Sequence, residues 1–178
     1  TKNGGQNWAK IDNIKGAPSL SYVNSIYLSK HDINVMYVAF NHHKYGDFKP
    51  YIFKSSDQGE SWESISNNLP ERGSVYSIEE DHINKDLIFC GTEFGVFFSP
   101  NSGERWKELG NGLPTIAVRD IAIQERENDL VLGTFGRGFY VLDDYSSLRS
   151  INDYYSSSNS NIFNVRDPLM WEKSMPLG

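Results

Sequence analysis

The chain has 178 residues, a single cysteine and a formal net charge of −6, from 17 Lys plus Arg against 23 Asp plus Glu. That length supports one ordinary domain with a sizeable core. The lone Cys90 excludes an internal disulfide or a cysteine-based metal cluster, and an acidic chain without a basic block disfavours nucleic acid as a partner.

Ten Tyr, ten Phe, four Trp and 15 Gly describe strands and turns rather than helices. No apolar run approaches the roughly 20 residues of a membrane-spanning helix. The first residues, Thr1-Lys2-Asn3, carry neither Met nor a charged-then-apolar leader pattern, as expected after processing or for an internal piece of a longer chain.

In chain order, Thr1-Lys2-Asn3-Gly4-Gly5-Gln6-Asn7-Trp8 opens a pattern that returns as Ser55-Ser56-Asp57-Gln58-Gly59-Glu60-Ser61-Trp62 and Ser99-Pro100-Asn101-Ser102-Gly103-Glu104-Arg105-Trp106. The tryptophans lie 54 and then 44 residues apart, and the segments between them repeat as well. Val23–Ile26, Val75–Ile78 and Val118–Ile121 align as a first strand. Tyr37–Ala39, Phe89–Gly91 and Val131–Gly133 follow as a second, and Tyr51–Phe53, Val96–Phe98 and Phe139–Val141 as a third. A short fourth strand follows the turn in Trp62–Ile65 and Trp106–Leu109, leaving through Asn67-Asn68-Leu69-Pro70 and Asn111-Gly112-Leu113-Pro114.

Four antiparallel strands in about 44 residues match the unit of a propeller blade. Such a unit cannot bury both faces alone, so it comes stacked. In the repeated turn, the Asp or Asn carboxyl or amide oxygen accepts from nearby backbone N–H groups, the Gly permits positive φ, and the Trp packs across the hairpin with an N–H that needs a partner. The turn residues are therefore Asn3, Gly5 and Trp8; Ser55, Asp57, Gly59 and Trp62; and Ser99, Asn101, Gly103 and Trp106. A calcium loop would need a run of alternating acidic ligands that the turn lacks.

The pattern resembles the Asp-box, or BNR repeat, of sialidase-like and sortilin-like propellers and of the tandem propellers of xyloglucan-active glycosidases. The stretch Leu130–Asp144 is similar to the last repeat of large secreted bacterial proteins of the sortilin-like or glycosyl-hydrolase BNR type. The resemblance implies an all-β fold, a partial β-propeller of four-stranded antiparallel blades with Asp-box turns. On this reading residues 1–18 end an incomplete blade, 19–71 and 72–115 are blades, 116–149 are a last partial blade, and 150–178 are a Ser/Asn-rich linker and extension. In the last repeat Leu142 stands where Ser99 stands and Arg149 where Trp106 stands, while Asp144 keeps the acidic position. The Ser/Asn/Tyr-rich stretch from Ser146 to Asn161 reads as linker or surface loop, and Ile162–Val165 as one more short strand. Three blades and a remnant do not close a ring, since propellers have at least about four blades. The remaining blades are expected from a longer chain or a partner segment.

In such blades the Asp-box turns mark the face away from the usual binding surface, which singles out the second-to-third loops and the ends of the innermost strands. The expanded loop Asn41–Pro50 carries His42, His43, Tyr45 and Asp47; the alternatives are a binding loop and a solvated insertion. Adjacent histidines point to opposite faces of a strand and no third ligand is evident, so no metal is expected. The other loops hold Glu93 and Arg137, and the inner strands Tyr76, Arg119 and Asp120. Arg119 and Arg137 would suit a carboxylate or sugar acid, or would pair with Asp120 or Asp143.

Glycoside hydrolysis needs two carboxyls across the bond; Asp47, Glu93 and Asp120 are acidic on that face, and no pair is singled out. No HExxH, Walker, GxSxG or CxxC motif occurs, and no cofactor is expected. The resemblance implies a carbohydrate-related role as glycosidase-like or glycan-binding module. Its alternatives are a non-catalytic, sortilin-like binder of peptides or proteins, and an assembly factor. Acidic charge and cysteine usage fit an extracytoplasmic bacterial protein.

Overall fold

The computed structural model describes residues 1, 3–110, 112–151, 162, 163 and 167. These form three antiparallel sheets with every strand beside its neighbour in sequence. The first sheet holds β1 (Tyr22–Leu28), β2 (Met36–His42), β3 (Asp47–Ser55) and β4 (Glu63–Ser64). The second holds β5 (Val75–Glu80), β6 (Ile88–Thr92), β7 (Gly95–Ser99) and β8 (Lys107–Glu108). The third has three strands, β9 (Val118–Gln124), β10 (Asp129–Thr134) and β11 (Phe139–Leu142). The fold is thus β-rich and blade-like. The fourth strands are shorter than the sequence suggests, two residues each, because only Glu63–Ser64 and Lys107–Glu108 pair with the third strand before the chain departs.

Strand alternation places one set of side chains on each sheet face, and the faces meet in two apolar slabs. Between the first and second sheets lie Tyr37, Ala39, Ile52 and Ile65 against Val75, Ile78, Ile88 and Cys90; between the second and third, Phe89, Val96 and Phe98 meet Val118, Ile121, Leu130 and Leu132. The Cys90 thiol has no solvent access, and burial pushes its pKa upward. A third cluster, Val38, Phe40 and Phe53, is covered on the far side of the first sheet by Ile14 and Ala17 of the N-terminal segment.

One hydrogen-bond circuit recurs in all three tryptophan turns. The first hydroxyl accepts from the glycine N–H: Thr1 Oγ1 from Gly5 N at 2.9 Å, Ser55 Oγ from Gly59 N at 2.8 Å, and Ser99 Oγ from Gly103 N at 2.8 Å. It also donates to the Asp or Asn oxygen, at 3.1, 2.8 and 2.9 Å. That oxygen accepts from the N–H four residues on, Asn7, Ser61 or Arg105. The backbone is left-handed at the same two positions each time, with φ of 65° and 91°, 60° and 89°, and 57° and 92°.

The turns also set how sheets stack. A methyl group added at Gly103 would lie 2.8 Å from Ile65 Cβ, and one at Gly59 would lie 2.8 Å from Ile11 Cδ1. Ile65 and Ile11 each stand three residues after the tryptophan of the preceding turn, so Trp8–Ile11 sits beside the first sheet as Trp62–Ile65 sits beside the second. The indoles themselves are not equivalent. Trp106 is 3 % exposed and donates from Nε1 to Ile65 O at 2.7 Å. Trp62 is half-buried and donates within its own turn to Gly59 O at 3.1 Å. Trp8 is 77 % exposed. The burial of each tracks what lies behind it: a four-stranded sheet, a single covering segment, or solvent.

The first residues of the expected linker, 146–150, are folded. Residues Tyr145–Ser150 form a 3-10 turn that buries Tyr145 and Leu148 against the third sheet. Arg149 forks onto the fully buried Asp81, Nε to Oδ2 at 2.9 Å and Nη2 to Oδ1 at 2.8 Å, while Tyr145 OH donates to Asp81 Oδ1 at 2.6 Å. Arg149 therefore substitutes for a staple tryptophan by tying the turn to the second sheet. Residues 152–161 and half of the expected strand Ile162–Val165 lie outside the described residues; Ile162 and Phe163 are described and are not in a strand.

Candidate functional site

The inner strands β1, β5 and β9 share one irregularity. Register shifts between Val23 and Ser25, between Val75 and Ser77, and between Val118 and Asp120, so Asn24, Tyr76 and Arg119 are each an extra, bulged residue. A bulge re-aims its side chain and sharpens the local twist. Here the three bulges lie at matching positions near the starts of their strands, at the end of the sheets opposite the tryptophan turns. We call this the upper face.

Their fates differ. Asn24 is spent on structure: its Nδ2 donates to Val75 O at 2.6 Å and its Oδ1 accepts from Asn41 Nδ2. Tyr76 and Arg119 meet across the junction of the second and third sheets, with the guanidinium carbon 3.7 Å from the Tyr76 ring centroid and 5.3 Å from that of Phe135. This is cation–π packing on a ring face, and Arg119 stays exposed to solvent. Arg119 does not pair with Asp120, whose Oδ1 instead accepts from Ile121 N at 3.0 Å. The Tyr76 hydroxyl pKa is raised, by burial first and by the Glu93 charge, against the lowering pull of Arg119. The Glu93 charge thus acts on the same aromatic–cationic group.

Phe135 and Glu93 hold matching posts. Phe135 N donates to Ala117 O at 2.9 Å, and Glu93 N to Ser74 O at 3.0 Å, so each hairpin turn is pinned to the connector entering its own sheet. Arg137 lies at the exposed tip of the turn between Gly136 and Gly138, both left-handed, closed by Thr134 N donating to Gly138 O at 3.1 Å.

The expanded loop of the first sheet is built differently from an open binding loop. Residues His43–Tyr45 make a 3-10 turn ending at left-handed Gly46. The His42 ring stacks on Tyr45 at 4.5 Å, Lys44 Nζ donates to Tyr22 OH, and Asp47 accepts from Tyr51 OH at 2.6 Å. That last bond is the main cause of a lowered Asp47 pKa, while burial first, and then Asp47, pushes Tyr51 up to about 12. His42, Tyr45 and Asp47 are thus on one loop but engaged separately: His42 stacks on Tyr45 and meets Ser21 Oγ through Nδ1 at 3.3 Å, Asp47 is held by Tyr51, and His43 is left exposed. Among the described residues no group of three or more His, Cys, Asp or Glu is placed to hold a metal, and no helix is long and apolar enough to cross a membrane.

Sequence reasoning found Tyr76 and Arg119 as equivalent positions but missed Phe135, the second ring beside Arg119. The signal was its place in the turn matching Glu93.

No family model and no curated protein sequence matches the chain. Solved structures do. A GH74 enzyme from Niastella koreensis superposes with a TM-score of 0.58 at 18% identity, over 68% of this chain and 21% of that one. An extracellular domain from B. thetaiotaomicron gives 0.54 at 20% identity, over 77% of this chain and 16% of that one. Peptide-bound YCF48 gives 0.51 at 16% identity, over 78% and 40%. The likeness is one of fold. This chain spans between 16% and 40% of the length of these proteins.

Proposed function

We propose that the chain is a run of consecutive blades from an Asp-box β-propeller, part of a larger extracytoplasmic bacterial protein. Its upper face binds a glycan at the mouth formed by Tyr76, Arg119 and Phe135, with Glu93 and Arg137 at the rim. The remaining blades come from the rest of a longer chain or from a partner segment.

The observation that carries this reading is the Arg119–Tyr76 stack raised by two aligned bulges. The exposed Phe135 ring offers a face to the C–H side of a sugar, and a guanidinium fixed by stacking on Tyr76 offers in-plane donors to hydroxyls or a carboxylate. Kinship of fold with GH74 enzymes and with an extracellular domain supports the glycan and extracytoplasmic parts of the reading. Hydrolysis is a further step: it would need two of Asp47, Glu93 and Asp120, and Asp47 is already engaged by Tyr51.

The test is retention of the whole chain on an array of immobilised neutral and acidic glycans. Arg119→Ala and Tyr76→Ala are expected to weaken retention tenfold or more, with circular dichroism unchanged. Glycan retention equal in both variants and the parent overturns the reading. Glycan turnover lost in Glu93→Gln or Asp120→Asn would add catalysis to it. A peptide-binding alternative draws on the peptide-bound neighbour; it predicts retention of peptides, with the same Arg119 dependence, and of no glycan.

A further inference from the structure

A concavity lies beside the turn between β6 and β7, where the connector Leu69–Gly73 passes from the first sheet to the second. Its volume is about 190 Å³. That is below the roughly 300–1,000 Å³ of sites for drug-sized ligands, which limits the occupant to one ring-sized group.

The cleft has an apolar floor and a polar rim. Phe94, Phe97, Pro50 and Pro70 supply apolar lining, and Arg72 and Glu108, both exposed, supply the charged lining, which we call the rim. Phe94 is 47 % exposed, a large ring held open at the tip of the two-residue turn between β6 and β7. The turn is braced from within. Thr92 Oγ1 donates to Gly95 O at 3.0 Å and accepts from Phe94 N at 3.2 Å. Gly73 makes the space: a methyl group there would meet Phe94 Cδ2 at 3.3 Å, and its φ of +130° suits glycine. Gly73 N also donates to Phe48 O at 2.8 Å, tying the connector to the first sheet. The walls are therefore preformed, which lowers the ordering cost of binding.

The rim chemistry selects the occupant. Arg72 offers only donors and Glu108 only acceptors, and no salt bridge joins either to another described residue. Arg72 lies over the Phe48 ring at 5.3 Å. A hydrocarbon side chain would fill the floor but leave both rim groups unanswered. A charged ligand would gain from one and be repelled by the other. A neutral sugar ring has an apolar C–H face for Phe94 and a belt of hydroxyls that both donate and accept.

We propose that this cleft is a subsite for a single neutral pyranose ring, stacked on Phe94 and hydrogen-bonded by Arg72 and Glu108. It is separate from the channel mouth and stands whether or not the mouth binds a glycan.

The test is a titration of the whole ¹⁵N-labelled chain with D-glucose and D-xylose, followed by amide chemical shifts. Saturable shifts in the millimolar range are expected at Arg72, Gly73, Phe94 and Gly95. Phe94→Ala should weaken binding at least tenfold, and Glu108→Gln about threefold, while Arg119→Ala leaves it unchanged. D-glucuronate is expected to bind no better than glucose. Absent or non-saturating shifts, shifts that survive Phe94→Ala, or shifts abolished by Arg119→Ala overturn the proposal. A failure confined to the channel mouth would show instead as loss of array retention in the Arg119 variant, with these shifts intact.

Discussion

At the scale of single residues, the repeated turn shows what one hydroxyl can hold. Ser55 and Ser99 are buried, and each oxygen receives a buried glycine N–H while donating to the side chain two residues on. Ser99→Ala leaves Gly103 N without an acceptor, so urea denaturation is expected to show a loss of about 1–3 kcal/mol. Asp57 is held down to about 2, chiefly by the Ser61 hydroxyl, then by Ser61 N and Ser55. A depressed carboxyl stabilises above its unfolded value of about 3.9, and that contribution fades as pH falls toward 2. Asp57→Asn should keep the turn, because Asn3 and Asn101 already do its work elsewhere, and should flatten this part of the acid dependence; a carbon-detected titration of Asp57 and acid melts of both proteins would show it. These turns were readable because their chemistry is local. Gly91 was not: its role is a close approach in space, where an added methyl would lie 2.5 Å from Ser77 Oγ and 2.6 Å from Val118 O. Gly91→Ala is expected to cost about 1–3 kcal/mol through overpacking.

At the scale of elements, the repeat and its β-rich runs placed the three long strands of each unit; alternation could not have placed β6, which is buried along its whole length. Bulges did not show, because an extra residue leaves no mark in composition; only the mutual alignment of Asn24, Tyr76 and Arg119 hinted that something common happens there. The 3-10 turn Tyr145–Ser150 was also hidden. Its polar sequence reads as loop, and what folds it is a partner 64 residues away, Asp81. Burial favours protonation of Asp81, but the Arg149 fork, the Tyr145 hydroxyl and Asn84 N outweigh it and hold the pKa below the usual carboxylate range. The stability from this group is therefore complete above about pH 4 and is lost as pH drops through the lowered value. Arg149→Met leaves a buried carboxylate without its cation, at a cost of about 3 kcal/mol. It should raise amide hydrogen exchange at Tyr145–Ile151 before any change in β5 or β6.

At the scale of the whole molecule, stacking leaves two unlike ends. The first sheet exposes Ile26 and Leu28 beyond the cover of Ile14 and Ala17, and the third exposes Phe139, at 80 %, and Val141. Among the described residues β11 has no strand on its outer side, a free edge of the kind that pairs with other chains. The 178-residue chain alone is expected to self-associate with rising concentration in sedimentation velocity, and Phe139→Lys to reduce this. The repeat told of such ends through a unit count that does not close a ring; it could not tell which faces stay open, since that depends on how far the segment before β1 folds back.

The lone thiol offers a clock for this architecture. Cys90 lies sealed in the seam between the first two sheets, so an alkylating reagent reaches it only when that seam parts. Labelling rates measured across reagent concentrations would time how often neighbouring sheets come apart, with no probe added to the protein.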